Sequence, residues 1–137
     1  MIRLAQPKDV DAIVEGMLAL KERTGWRYYE RDGYNHDTLG QFITARLLDG
    51  NSVCLVWDED AVVGFIGASL YHATLPPHMW VLREWGWWGS PKVCAHLYRA
   101  AGRWGKRQGA ELLGYTLASP GSRAGLIREQ FVWKVLK

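Results

Sequence analysis

The chain has 137 residues, with 17 Lys or Arg against 14 Asp or Glu and a formal net charge of +3 at pH 7. An apolar content of 48% excludes a disordered chain. No apolar run is long enough to cross a membrane and no basic-then-apolar leader opens the sequence, so one cytoplasmic domain over residues 1–137, with no membrane contact, is the expectation.

Ile2-Arg-Leu4 alternates and reads as a short opening strand. Asp9 or Asp11 starts a helix whose apolar residues Val10, Ile13, Val14, Met17 and Leu18 recur every 3.6 residues. It fades near Thr24, with Gly25 as its stop. Trp26 to Tyr34 is a loop of aromatic and charged residues that either covers a ligand or packs onto the body. Asp37 is placed to cap a second helix, with Leu39, Phe42, Ile43, Leu47 and Leu48 inward. Asp49-Gly-Asn51 turns the chain into a strand over Ser52–Trp57. Asp58-Glu-Asp60 makes a hairpin turn, and Ala61–Tyr71 returns as a longer strand. Gly64 and Gly67 within it mark a bulge or a close backbone approach. His72 to His78, containing Pro76-Pro77, is a loop.

The rest of the chain is organised around Met79 to Thr116. Its first ten residues, ending at Trp87-Trp88, are rich in aromatic and β-branched types and read as a strand interrupted by Gly86. Alternation puts Trp85 and Trp87 on one face and Trp88 on the other, unless Gly86 marks a bulge. Ser90 is a helix N-cap and Pro91 occupies the first helical position, where its missing N–H is no loss. Val93, Cys94, Leu97, Tyr98, Ala101 and Trp104 follow helix spacing until Gly109 stops it, and Glu111–Thr116 resumes as a strand. A strand–helix–parallel strand unit presents the helix's first N–H groups as an anion cradle at the sheet's carboxyl edge. Leu117 to Ser122 is a turn cluster, a short helical turn surrounds Arg123–Ile127, and Gln130–Leu136 closes as a strand.

Cys54 and Cys94 have no Cys or His at ligand spacing. They read as small buried hydrophobes, with no metal and no disulfide. Between Trp85 and Ala110 the chain carries Lys92, Arg99, Arg103, Lys106 and Arg107 and no acid. That basic stretch is either a solvated helix face or a surface that meets phosphate, on a cofactor or on nucleic acid.

The element order β-α-α-β-β-β-α-β-(α)-β predicts an α+β fold: a mixed, mostly antiparallel central sheet with helices on both faces. It resembles the GNAT superfamily of acyl-CoA-dependent N-acyltransferases. Ile2–Val10 is similar to that family's opening strand and helix, Trp57-Asp-Glu-Asp-Ala-Val-Val-Gly-Phe-Ile-Gly67 to its hairpin, and Arg103-Trp-Gly-Lys-Arg-Gln-Gly-Ala110 to the end of its central helix. The likeness spans nearly the whole chain, which resembles a small, degenerate, phage-type member of the family.

The resemblance implies acetyl-CoA as cofactor, lying where the fourth strand splays from the fifth. Carried over by position, Trp87, Trp88 and Gly89 would pair with the pantetheine arm. Ser90, Lys92, Val93 and Cys94 would hold the pyrophosphate at the helix start, and Ser119 and Arg123 would meet the CoA arm or its phosphates. The family's Q/R-x-x-G-x-G/A loop is matched only by Arg83 and Gly86, the turn at Gly89–Val93 is shorter, and Arg128 stands where the family's acidic tyrosine is expected. Glu84 is the candidate general base, against the alternative of a strand carboxylate paired with an arginine. Tyr115, or Tyr98 on the helix, is the candidate acid, against the alternative of a core-edge tyrosine. His72 and His78 are further candidates for moving protons at the substrate side.

The implied activity is acetyl transfer from acetyl-CoA to a primary amine by direct attack. The acceptor would be a small amine, a protein amine or an aminated base in DNA, with nucleic acid met through Arg99, Arg103, Lys106 and Arg107. The alternative is a non-catalytic binding or structural protein on the same sheet.

Overall fold

A computed structural model describes residues 1–24, 33–73, 78–120 and 127–137. Six strands form one sheet in chain order: β1 (Ile2–Leu4), β2 (Ser52–Asp58), β3 (Val62–His72), β4 (Trp80–Trp88), β5 (Ala110–Pro120) and β6 (Ile127–Val135). Every neighbouring pair is antiparallel except β4 and β5. That exception follows from the chain between them. Residues 91–107 form helix α3 (Pro91–Arg107), which carries the chain back along the sheet so that β5 starts beside the start of β4.

Helices α1 (Val10–Thr24) and α2 (His36–Leu48) cover one face of the sheet and α3 the other. The strands between these layers are buried on both sides. In β2, Val53 and Leu55 face α3 while Cys54 and Val56 face α1 and α2. In β3, Ile66 and Ala68 join the α3 side and Phe65 the other. Ile13 and Val14 of α1, Ile43 of α2 and Leu97 of α3 are fully buried beneath them. Each such side chain contributes about 1.5–3 kcal/mol of transfer free energy.

Several local readings shift by a few residues for identifiable reasons. Asn35, not Asp37, caps α2: its side-chain oxygen accepts the Thr38 N–H at 3.1 Å, which leaves Asp37 inside the first turn. Leu39 and Ile43 are buried as expected, but Leu48 at the helix end is 84% exposed. Residues Leu117 to Pro120, read as part of a turn cluster, continue β5, because each pairs with β6 from Leu117↔Gln130 to Pro120↔Ile127. Pro120 sits at the last position of the strand, where a missing donor is tolerated. The helical turn expected around Arg123 lies outside the described residues, apart from Ile127, which opens β6. The aromatic loop from Trp26 to Asp32 also lies outside them. Tyr34 at its end packs onto the α1–α2 cluster and donates a 3.4 Å hydrogen bond to the Met17 carbonyl.

An ion cluster ties the chain's start to the sheet. Arg3 donates to both carboxylate oxygens of Asp9, at 2.7 and 2.9 Å, and to Asp58 at 2.8 Å. Asp9 is only 4% exposed and also accepts the Gln6 N–H. The Arg3 guanidinium holds the Asp9 carboxyl below the usual carboxylate range, against the opposing pull of burial. Both cysteines are free and buried, and among the described residues no cluster of His, Cys, Asp or Glu could hold a metal. None of the described helices is long and apolar enough to cross a membrane.

Candidate functional site

The parallel ladder between β4 and β5 is short. It pairs Trp80 with Ala110, Val81 with Leu112, Leu82 with Leu113 and Arg83 with Gly114, and stops there. β4 runs on to Trp88 and β5 to Pro120, each held on its outer side by β3 and β6. The two strands therefore part after Arg83 and Gly114. Their facing edges beyond that point carry backbone N–H and C=O groups with no partner in this ladder, and such groups demand one from solvent or ligand.

A bulge sits at the mouth of this fork. Opposite β4, Gly67 pairs with Gly86 but the next residue, Ala68, pairs with Glu84, so Trp85 is an extra residue on β4. The bulge resets which way β4 side chains point. Glu84 stands opposite Ala68 and so shares the α3 face. Trp85 packs on the α1–α2 side, and a Cβ at Gly86 would meet Met17 and Phe65 on that same side, each at 3.4 Å. Trp87 returns to the α3 side and Trp88 to the other. Trp85 and Trp88 thus share a face and Trp87 opposes them, which is not the simple alternation of the sequence.

Gly67 makes this possible. A Cβ there would fall 2.1 Å from two ring atoms of Trp85, so the indole fills the space over the bare backbone of β3. Phe42 meets the same indole edge-on at 5.2 Å between centroids. The start of α3 is anchored in a similar way. A Cβ at Gly64 would lie 2.5 Å from Val93 Cγ1 and 2.9 Å from the Trp88 carbonyl oxygen, and Gly89 adopts a φ of +143° to make the turn between them.

Ser90 caps α3 as its sequence context demands, and the consequence for anion binding is specific. Pro91 has no N–H. The Val93 N–H goes to Ser90 Oγ at 3.3 Å, and the Cys94 N–H to the Ser90 carbonyl at 2.9 Å. Lys92 supplies the one first-turn N–H that these bonds leave, together with an exposed ammonium. Val93 and Cys94 face inward, Cys94 8% exposed, and their side chains serve packing.

Glu84 and Tyr115 are each one residue past the last ladder pair, and both belong to the α3 face. Two residues remote in sequence thus flank the point where the strands part. Tyr115 also rests against Tyr98 of α3, with ring centroids 4.9 Å apart. His72 and His78 stack on each other with centroids 6.0 Å apart and lie at the start of β4, where His72 pairs with Trp80. They are at the closed end of the β4–β5 ladder, away from the fork's mouth, so the structure does not bring them to the site. Ser119 lies in β5 opposite Arg128 of β6. Arg123 lies outside the described residues.

No protein-family model and no curated protein matches the chain. Solved structures do. The ribosomal-protein-alanine N-acetyltransferase from Brucella melitensis aligns over 99% of each chain, with a TM-score of 0.69 at 16% identity. The PaiA N-acetyltransferase from Thermoplasma acidophilum, solved in complex with coenzyme A, aligns over 89% of this chain and 81% of its own, with a TM-score of 0.66 at 16% identity. The chain has the GNAT fold. A transcriptional regulator from Bacillus halodurans C-125 shares it too, with a TM-score of 0.66 and 17% identity over 82% of this chain and 78% of its own. The fork is where this chain's fourth and fifth strands part, and the bulge at Trp85 lies on β4 just beyond the last β4–β5 pair. Sequence reasoning missed that Ser90 consumes amides offered to a ligand. The signal was present, since an N-cap serine takes an N–H by its nature.

Proposed function

We propose that the protein is an N-acetyltransferase that moves an acetyl group from acetyl-CoA to a primary amine. The observation that carries this reading is the fork: in a GNAT fold, the β4–β5 ladder ends after Arg83↔Gly114 and leaves two unladdered strand edges facing each other. The residues present suit acetyl-CoA. The open edge of β4 from Glu84 to Trp88 offers the alternating donors and acceptors that a pantetheine amide chain needs, as an added strand would. The positive end of α3, the Lys92 N–H and the Lys92 ammonium suit a diphosphate. A structural neighbour, PaiA, is itself solved with coenzyme A.

Acetyl-CoA supplies an acyl carbon already activated as a thioester. The chain's own groups then have defined tasks. Glu84 accepts a proton from the incoming amine as its nitrogen bonds to the acyl carbon, and the Tyr115 hydroxyl donates a proton to the sulfur as the C–S bond breaks. Trp87, packed on the α3 side of the same strand, keeps water from the fork.

The self-capped first turn of α3 favours a second reading, a binding or structural protein that kept the sheet and gave up the cofactor. One titration separates the two. Acetyl-CoA added to the protein should quench tryptophan fluorescence saturably, since four of the eight tryptophans are on β4. It should also raise the melting temperature, and a ligand at 100 times its Kd stabilises by about 2.7 kcal/mol. Glu84→Gln should keep binding and lose acetyl transfer to amines, read as release of free thiol. Absence of any response at millimolar acetyl-CoA would remove the transferase reading.

A further inference from the structure

A second site lies along α3 beside β6, and the argument for it does not rest on the transferase reading. Between α3 and β6 runs a groove of about 530 Å³ whose lining includes five cations, Arg99, Arg103, Lys106, Lys134 and Lys137, and contains no acidic side chain. The helix supplies three of these cations at i, i+4 and i+7, which is one face of α3. The fourth comes from the sheet. Lys134 pairs with Leu113, whose side chain points to α3, so Lys134 leaves β6 on that same face. Leu136, two residues on, also faces α3: a Cβ on Gly102 would meet its Cδ2 at 3.3 Å.

Leu113, Leu136 and Tyr98 give the groove an apolar floor, and the five cations surround it. All five are exposed, and among the described residues none is in an ion pair. Five like charges around one concavity repel each other, and nothing in the sheet or helix needs them there for packing. Leu113 belongs to the laddered part of β5, before the strands part. Arg103 lies 13 residues along the helix from Ser90, about 20 Å at 1.5 Å per residue. The Arg103 end of the groove is therefore distant from the end of α3 that faces the fork, while Tyr98 at its other end touches Tyr115.

We propose that this groove binds a single nucleic-acid strand, with phosphates on the cationic walls and a base on the apolar floor. Arginine at two of the five positions suits phosphate, which its planar guanidinium meets through paired N–H groups. An apolar, tyrosine-bearing floor suits a flat base and gives nothing to an acidic peptide of equal charge. A duplex keeps its bases stacked inside and has no use for the floor.

The test is fluorescence anisotropy with a labelled, mixed-sequence single-stranded oligonucleotide, read across a salt series. Phosphate contacts from the four cations on α3 and β6 predict a log–log salt slope of about −2.8, or roughly 50-fold weaker binding at 200 mM than at 50 mM salt. Arg103→Glu with Lys106→Glu should cut the slope to about −1.4 and the loss over that range to about 7-fold. Lys134→Glu should weaken binding at low salt by at least tenfold although it lies on a different element. Lys8→Glu, the same charge change on a distant exposed residue, should leave affinity within about twofold. All four positions are exposed, so the variants should stay folded at room temperature, with only a small fall in melting temperature where Lys106→Glu puts an acid in the last turn of α3. Wild-type affinity in Lys134→Glu, tighter binding to duplex than to single strand, or equal competition by polyglutamate would each overturn the proposal.

Discussion

Replacing Gly67 by alanine probes the bulge on β4 at the mouth of the fork. The new methyl would lie 2.1 Å from Trp85 Cη2 and Cζ2 and 2.4 Å from Cε2, all atoms of a rigid ring. The ring has little room to retreat, because Phe42 holds it edge-on at 5.2 Å. Overpacking of this kind costs about 1–3 kcal/mol, and a ring that cannot swing away puts Gly67→Ala at the upper end, about 3 kcal/mol. For a chain of this size that is a fall of roughly 12 °C in melting temperature. Trp85→Ala alone also costs about 3 kcal/mol, the low end for a tryptophan because this one is half-buried. The two changes made together should cost no more than Trp85→Ala alone, since alanine at 67 then has room. Urea unfolding of the four proteins reads this as a coupling of about 3 kcal/mol. Additive losses, with the double variant about 6 kcal/mol less stable, would refute the claim that the indole lies on Gly67.

Asp9→Asn should destabilise by roughly 2–3 kcal/mol at pH 7, short of the cost for a fully buried pair because Arg3 is 20% exposed and keeps Asp58. Arg3 lowers the folded-state pKa of Asp9, so its contribution is full above the unfolded value near 4 and fades as pH falls through the lower folded value. Wild-type stability should drop on acidification below about pH 4 more steeply than that of Asp9→Asn, as urea unfolding across pH will show. Burial pushes the Cys54 thiol up to about 12, so it should resist alkylation at pH 8 in the folded protein and react at once in denaturant, by mass spectrometry of iodoacetamide-treated samples. Ser90→Ala should cost about 1 kcal/mol without ligand and less at saturating acetyl-CoA, because a bound diphosphate takes over the helix-capping role. An equal loss with and without ligand would place the diphosphate elsewhere.

How far the sequence carried depended on whether a feature is local. Ser90-Pro91 specifies a helix start through bonds within one turn, and α3 begins there. Gly64 and Gly67 are hard to explain inside a strand without a close contact, and both back onto side chains from β4 or α3. Asn35 and Asp37 are both good caps two residues apart, and which one served was settled by the bond to Thr38, a choice composition does not make. The end of β5 was misread because Ser119-Pro120-Gly121 carries turn chemistry, while pairing with β6 keeps the strand going to Pro120. The convergence of Glu84 and Tyr115 depends on where a parallel ladder stops, and that of Arg103 and Lys134 on the register of β6. Neither is written in any window of neighbouring residues.

Hydrogen exchange with and without acetyl-CoA tests the fork as a binding cleft most directly. The ladder is already closed from Val81 to Arg83, so those amides should exchange at the same rate in both states, while those amides from Glu84 to Trp88 that face the fork rather than β3, and that of Lys92, should slow when ligand is present. Protection that falls instead on α1 and α2, or no protection at saturating ligand, would contradict the account.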